Sequence, residues 1–196
     1  MPPQAIKTVR DLIFWQYSKI VSDSAGFGKK NWGFVMDRFK KFQQEEIFWN
    51  EIKEYVKERE KKDECIFCGS KSKLTMEHLF PRSLNGPDNE KNIVWICSTC
   101  NSSKGARRLY ELWTIKSGLN GAKYEVPRIA EGKYLKLIYE TFKEKGMLGL
   151  RITEIKAKIC PTCDLKNICT KEKSVGKLSP LCLDGIATLC FGEAEF

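Results

Sequence analysis

Histidine is almost absent from this sequence, in which His78 is the only one among 196 residues. No apolar run approaches the ~20 residues that a transmembrane helix needs. The first residues lack the basic-then-apolar pattern of a secretory signal, and no internal repeat or low-complexity segment is present. These absences predict a cytoplasmic protein without a membrane partner, and they leave one imidazole whose role needs an explanation.

Acidic residues are in the minority, with 25 Asp and Glu against 34 Lys and Arg, so the net charge is +9. This excess favours a polyanionic partner, of which nucleic acid is the commonest, although a basic soluble protein without such a partner has the same balance. A hydrophobic content of 42% and a charged content of 30% are typical of a folded globular chain rather than a disordered one.

Apolar residues at helical spacing dominate the first 62 residues. They predict three helices, with the apolar positions Ile6, Val9, Ile13, Tyr17 and Ile20, then Trp32, Val35, Met36, Phe39 and Phe42, then Phe48, Ile52, Tyr55 and Val56. The aromatic residues among them have the spacing of core residues, although aromatic rings also stack on nucleic-acid bases.

Shorter apolar runs follow, and the sequence predicts an α+β fold. "KLTMEHLF" and "NIVWIC" indicate short strands, and "SSKGARRLYELWTIK" and "RIAEGKYLKLIYETFKEKG" indicate helices. We expect a helical N-terminal region at 1–62, a core module at 63–116, a second helical region at 117–158 and a cysteine-rich tail at 159–196.

The nine cysteines fall into two groups, and a reducing compartment disfavours disulfides between them. Two Cys-x-x-Cys pairs in the core module suit a closed tetrahedral zinc site, because each pair presents two sulfurs from one tight turn. Such an ion has no open position and serves to stabilise a small module. The pairs are Cys65 with Cys68 and Cys97 with Cys100.

The stretches "MEHLFPRS" and "NIVWICSTCNSSKGAR" closely resemble the HNH endonucleases, which are zinc-stapled nucleases with a ββα-metal core. The resemblance covers roughly residues 65–108. It implies that Glu77 is an acidic ligand of a catalytic metal and that His78 is the general base. It also implies that Asn92 orients the histidine through the loop backbone and that Asn101 gives an amide oxygen to the metal.

The chemistry of these residue types agrees with the resemblance. An imidazole titrates near neutral pH and can take a proton from water. Oxygen ligands from Glu77 and Asn101 suit Mg²⁺ or Mn²⁺, which would act as a Lewis acid on the phosphate. The alternatives for His78 are a structural histidine or a fifth ligand at the zinc site. Four basic residues around the predicted site are candidate phosphate contacts, namely Arg82, Lys104, Arg107 and Arg108.

Five further cysteines lie in the tail, at Cys160, Cys163, Cys169, Cys182 and Cys190. The run "CPTCDLKNICTKEK" resembles the iron–sulfur loops of the endonuclease III and MutY glycosylases and of RecB-like nucleases, but the fourth ligand would have to come from Cys182 or Cys190. The resemblance implies a 4Fe–4S cluster held by four of the five, and zinc bound to the same thiols is the alternative.

Together these patterns predict a metal-dependent HNH endonuclease that hydrolyses DNA, with RNA as a less favoured substrate, as restriction, defence and mobile-element enzymes of this family do. The alternatives are a zinc-stabilised module that binds nucleic acid without cutting it, and a structural or partner-binding adaptor that keeps the scaffold without the activity.

Overall fold

A computed structural model describes residues 5–49, 60–120, 125–169 and 178–192, with the side chains of residues 119 and 120 left out. Its helices are α1 (Val9–Ser24), α2 (Trp32–Gln43), α3 (Ser98–Lys104), α4 (Leu109–Asn120), α5 (Arg128–Glu144), the short α6 (Ile152–Glu154) and α7 (Pro180–Phe191). The strands are β1 (Leu74–His78) and β2 (Ile93–Cys97), a 3₁₀ turn spans Arg82–Leu84, and a π-helical turn, Ile155–Ile159, continues α6. The predicted α+β class is confirmed.

Helix α1 is the centre of the helical part, which we call the helical body and define as α1, α2, α4, α5 and α7. It begins at a capping box, in which Thr8 Oγ1 accepts from the Asp11 N–H at 3.1 Å and Asp11 Oδ2 accepts from the Thr8 N–H at 3.0 Å. The helix packs against α2, α5 and α7. It is buried beyond the predicted stripe, since Phe14, Trp15 and Val21 are also in the core.

Aromatic residues of the N-terminal helices form the core, as their spacing predicts. Phe14 stacks on Phe42 with ring centroids 5.2 Å apart, and Phe39 is fully buried. Trp15 and Trp32 stack nearly parallel, with centroids 5.8 Å apart and planes 3° from one another, while Trp32 keeps its outer side in solvent. The third predicted helix falls mostly on residues 50–59, outside the described residues.

The two strands pair antiparallel, with Glu77 opposite Val94 and His78 opposite Ile93. Helix α3 follows β2 directly and packs on both strands. Val94 and Ile96 alternate along β2 and are fully buried, so one face of this small sheet joins the core.

The prediction of one helix across "SSKGARRLYELWTIK" is wrong, because this stretch belongs to two helices. Helix α3 ends at Lys104, where Gly105 adopts φ +51°, a left-handed conformation that favours glycine. Helix α4 begins at Leu109. Arg107 and Arg108 therefore lie in the connection between α3 and α4, and not inside the single helix that the sequence predicts.

The tail, predicted only as a cysteine-rich segment, contains a buried helix. Helix α7 buries Leu183, Ile186 and Ala187 completely and packs against α4 and α5. Its Asp184 is also buried, where it accepts from the Tyr134 hydroxyl at 2.7 Å and from the Glu111 N–H at 2.7 Å. One carboxylate thus joins α4, α5 and α7. None of the helices in the described ranges has the length and apolarity to cross a bilayer.

Candidate active site and metal centres

The four thiols of the core module converge on one point. Cys65 and Cys68 precede β1, Cys97 ends β2, and Cys100 lies in the first turn of α3. Their sulfurs all lie within 4.8 Å of one another, and Cys68 Sγ is 3.7 Å from Cys97 Sγ. A tetrahedral zinc ion with Zn–S bonds of ~2.3 Å places its sulfurs about 3.8 Å apart. These four residues, the thiol set, can therefore hold a metal ion such as zinc.

A tight turn presents the first thiol pair. The Cys65 N–H donates to the Ser70 carbonyl at 2.8 Å, and the Gly69 N–H donates to the Cys65 carbonyl at 2.8 Å. Gly69 has φ +75°, which side-chain-bearing residues rarely adopt. The Ile66 N–H then donates to the Trp95 carbonyl at 2.9 Å, so the turn is fixed against β2.

The local electrostatics also favour a cation. Burial opposes ionisation of Cys65, but backbone N–H groups of Cys97, Cys68 and Phe67 bring its pKa down to about 7. Burial and the other three thiols raise the pKa of Cys100. Four sulfurs this close do not all ionise unless a positive ion lies among them.

His78 ends β1 outside the thiol set, and its Nε2 lies 3.0 Å from Asp88 Oδ1. The hydrogen bond to His78 and the charge of Arg82 lower the pKa of Asp88, so this carboxylate is ionised and can only accept. Nε2 therefore carries the proton of a neutral ring. Within the described part of the chain, Nδ1 has no hydrogen-bond partner and is left as a proton acceptor.

Glu77, the residue before His78, is held by a buried lysine. Lys104 Nζ lies 3.0 Å from Glu77 Oε1, and the Lys104 side chain is 0% exposed. Burial lowers the pKa of Lys104, and the carboxylate of Glu77 opposes that shift. This contact fixes one oxygen of Glu77.

Asn101 lies on the same side of α3 as Lys104, because residues three positions apart on a helix share a face. That face is the one from which Lys104 reaches Glu77. The side chain of Asn101 is partly exposed. Glu77 and Asn101 together offer the oxygen ligands that Mg²⁺ and Mn²⁺ prefer.

Asn92 closes the loop that separates the two strands. Its buried side chain accepts from the Phe80 N–H at 2.8 Å, and its amide donates to the Phe80 carbonyl at 2.8 Å and to the Pro87 carbonyl at 2.9 Å. The loop is so tight that a Cβ on Gly86 would lie 2.2 Å from the Phe80 oxygen. Asp88 follows Pro87, so Asn92 holds the backbone beside both His78 and its partner.

Comparison with known proteins gives one match, to the family described as HNH endonuclease, over residues 65–107. These residues form an HNH endonuclease domain. Nucleases of this family act on nucleic acids, which supports a nucleic-acid-related function for the chain. The match includes no part of the helical body. No curated protein and no solved structure matches the chain significantly.

Two of the four basic residues predicted to contact phosphate are buried. Lys104 is paired with Glu77, and Arg108 is 3% exposed. Arg108 donates to Glu111 Oε2 at 2.9 Å and to both oxygens of Asp164 at 3.1 and 2.7 Å, and it also contacts Thr188. Neither is presented to a ligand phosphate, and both act inside the protein.

Arg82 and Arg107 are exposed on the HNH domain. Arg82 lies 3.5 Å from Asp88, and Arg107 donates to the Ser103 carbonyl at 3.0 Å. Their guanidinium groups remain accessible to a nucleic-acid backbone.

The five tail cysteines separate into four and one. Cys160, Cys163, Cys169 and Cys182 line a common cavity beside α7. Cys190 lies elsewhere, near the end of α7, where burial raises its pKa to about 12.

Sequence reasoning missed Asp88 and gave Lys104 a different role. Asp88 lies in the acidic and amide-rich stretch "GPDNEKN", which is typical of a solvated loop. Lys104 is expected from the sequence to contact phosphate, whereas the structure buries it against Glu77. The position of Asp88 one residue after a Pro that follows a Gly indicates a fixed turn, which is the only signal that pointed to it.

Proposed function

We propose that the chain is a metal-dependent endonuclease that hydrolyses phosphodiester bonds in DNA, with zinc bound to the thiol set. The observation that carries the proposal is the arrangement of His78. The ring lies outside the thiol set, next to Glu77, and its Nε2 is held by Asp88 at 3.0 Å.

The reaction places one task on each side chain. His78 Nδ1 accepts a proton from water, and the resulting hydroxide attacks phosphorus while the bond to the 3′ oxygen breaks. Asp88 holds the tautomer that leaves Nδ1 free and stabilises the imidazolium that forms. Asn92 keeps the loop of Asp88 in place.

A divalent cation fits the oxygens of Glu77 and Asn101, because Mg²⁺ is held by one or two carboxylate or amide groups with substrate phosphate and water. When bound, it supplies Lewis-acid stabilisation of charge on the phosphate and the leaving oxygen. Lys104 orients Glu77 by holding Oε1, which leaves Oε2 for the cation.

Substrate affinity comes from exposed cations of the HNH domain. Arg82 and Arg107 contact the phosphate backbone without reading sequence. The net charge of +9 adds attraction over a longer range.

The test is cleavage of plasmid DNA with and without Mg²⁺ or Mn²⁺ by the full chain and by His78→Ala. We expect the variant to lose roughly 10²–10⁴-fold in cleavage rate and to keep its zinc content and DNA affinity. A matched control is Lys71→Ala, which removes an exposed charge from the turn between the first thiol pair and β1.

Tight DNA binding without cleavage by the wild-type chain under every divalent ion would favour the alternative, a zinc-stabilised binding module. Equal cleavage by wild type and His78→Ala would refute the role of the imidazole.

A further inference from the structure

The cavity beside α7 brings together four thiols that the HNH domain does not use. Cys160 follows the π-helical turn, Cys163 and Cys169 lie in the turns after it, and Cys182 lies in the first turn of α7. All four line the cavity, and Ile155, Ile159 and Leu181 are part of its wall. A thiol-lined apolar cavity is suited to a soft metal group.

The spacing of these thiols differs from that of the thiol set. Among the described residues, the thiol set forms a group that could hold one metal ion, with all sulfurs within 4.8 Å of one another, whereas the tail cysteines form no such group. A single tetrahedral ion needs sulfurs about 3.8 Å apart. Four thiols that line one cavity without forming such a group suit a larger group with several metal atoms better than a single ion.

Helix α7 leaves space on the side that faces the cavity. Gly185 lies one turn after Cys182 and on the same face, and a Cβ there would lie 2.8 Å from Cys163 Sγ. Glycine is less favourable than alanine inside a helix, so its presence here has a local cause. That cause is the close approach of a cysteine sulfur.

The thiols also have polar support. The Ser179 N–H donates to Cys182 Sγ at 3.4 Å, and the first turn of a helix stabilises a thiolate. The Arg108 guanidinium group donates to both carboxylate oxygens of Asp164, at 3.1 and 2.7 Å, and these hydrogen bonds hold the turn that begins at Cys163. N–H groups directed at ligand sulfurs are one of the ways in which a protein tunes an iron–sulfur cluster.

We propose that Cys160, Cys163, Cys169 and Cys182 ligate a 4Fe–4S cluster and that Cys190 is not a ligand. Four thiolates complete the coordination of a 4Fe–4S core, one on each iron. Arg108 directly follows the HNH domain, so the cluster loop is joined to the end of that domain by an ion pair in which the Arg108 side chain is buried and Asp164 is exposed. This site is separate from the proposed nuclease chemistry.

The test uses the full chain, reconstituted without oxygen with ferrous iron and sulfide. We expect about four iron and four sulfide per chain, a brown colour with broad absorption in the visible range, and an electron paramagnetic resonance signal after reduction. Two irons per chain, or a colourless protein with two zinc ions and no sulfide, would overturn the assignment. None of these readouts depends on DNA cleavage, so a failure here is distinct from a failure of the nuclease.

Alanine variants test which thiols are ligands. Cys163→Ala and Cys169→Ala should lose most of the iron and sulfide while the zinc at the thiol set is retained. Cys190→Ala is the matched control, and it should bind as much iron as the wild type. The use of two ligand variants guards against a folding defect in one, and circular dichroism checks the helix content of each.

Gly185→Ala tests the space beside Cys163 without removing a thiol. We expect its iron content to fall at least twofold with the helices intact. Full occupancy in this variant and in Cys163→Ala, or loss of the cluster in Cys190→Ala, would overturn the ligand assignment.

Discussion

The HNH domain and the helical body reach a folded state by different means. The domain consists of two five-residue strands and a seven-residue helix, and its buried apolar residues are few, chiefly Leu79, Phe80, Val94 and Ile96. The helical body buries most of α1 and one face of α2, α5 and α7, with stacked aromatic rings in its centre. Burial supplies the stability of the body, whereas the domain has few buried apolar residues and four thiols that can hold a metal ion.

This difference places the proposed chemistry where a dense core is missing. His78, Asp88 and Asn101 keep polar atoms in reach of solvent at the edge of the small sheet, and a bound metal ion can keep such a region folded. The body provides a fixed support through Lys133, whose Nζ donates to the Ile93 carbonyl at 2.6 Å on the strand opposite His78.

Removing one member of the thiol set should have the largest effect. We expect Cys97→Ala to lose zinc and the folded HNH domain, because ion binding of this kind supplies on the order of 10 kcal/mol of folding free energy. The helical body should remain folded, with most of the helical circular dichroism kept. Zinc content and limited proteolysis measure the two regions separately, and Met76→Ala, at an exposed position of β1, is the control.

A cavity in the helical body should have the next largest effect. Phe39→Ala should lower the free energy of unfolding by about 3–5 kcal/mol, because its side chain is fully buried. Phe27→Ala is the matched control, since Phe27 is 55% exposed and its loss should change stability by about 0.5 kcal/mol or less. Chemical denaturation followed by circular dichroism measures both, and equal losses would contradict the description of the core.

Asp88→Asn changes the site without changing either core. The amide no longer enforces the tautomer with a protonated Nε2, so we expect cleavage to fall by roughly tenfold to a hundredfold. Melting temperature and zinc content should stay at the wild-type values. A loss of stability comparable to that of Phe39→Ala would show that Asp88 serves the fold and not the chemistry.

The smallest effect concerns the pH dependence of the helical body. Burial raises the pKa of Glu131, although Lys29 and Lys19 oppose the shift, and the Tyr110 hydroxyl donates to its Oε1 at 3.0 Å. Between its ordinary pKa and the raised value, the unfolded chain has lost a proton that the folded chain retains. Stability therefore falls as pH rises through that interval.

Glu131→Gln replaces the titrating carboxyl group by a neutral amide that can still form hydrogen bonds. The variant should gain stability relative to wild type as pH rises from 4.5 towards neutrality, and its stability profile should be flatter. Urea denaturation at several pH values measures this. A profile unchanged by the substitution would contradict the assignment.

Local sequence patterns predicted the secondary structure and the thiol pairs better than they predicted which side chains pair with the basic residues near the site. The alternation that buries Val94 and Ile96, the paired thiols and the position of His78 follow from short stretches of sequence. Arg108 could not be assigned in this way, because its partners Asp164 and Thr188 are 56 and 80 residues away. The sequence around an arginine does not reveal whether a carboxylate far away in the chain will pair with it in the folded structure.

The distinction between the four cavity-lining thiols and Cys190 also required the three-dimensional structure. Spacing alone leaves Cys182 and Cys190 equivalent, since both lie beyond the "CPTCDLKNIC" run. The structure turns Cys182 towards the cavity and Cys190 into the core, because they lie at opposite ends of α7. Sequence reasoning also did not predict α7, because it treated the tail only as a cysteine-rich segment.

The stacked Trp15 and Trp32 rings give the helical body its own optical signature. Two indoles this close and this parallel couple their electronic transitions, so their circular dichroism and emission should respond when α2 leaves α1. Because neither ring belongs to the thiol set or to the tail cavity, this signal reports the docking of two helices whatever metal content a preparation has.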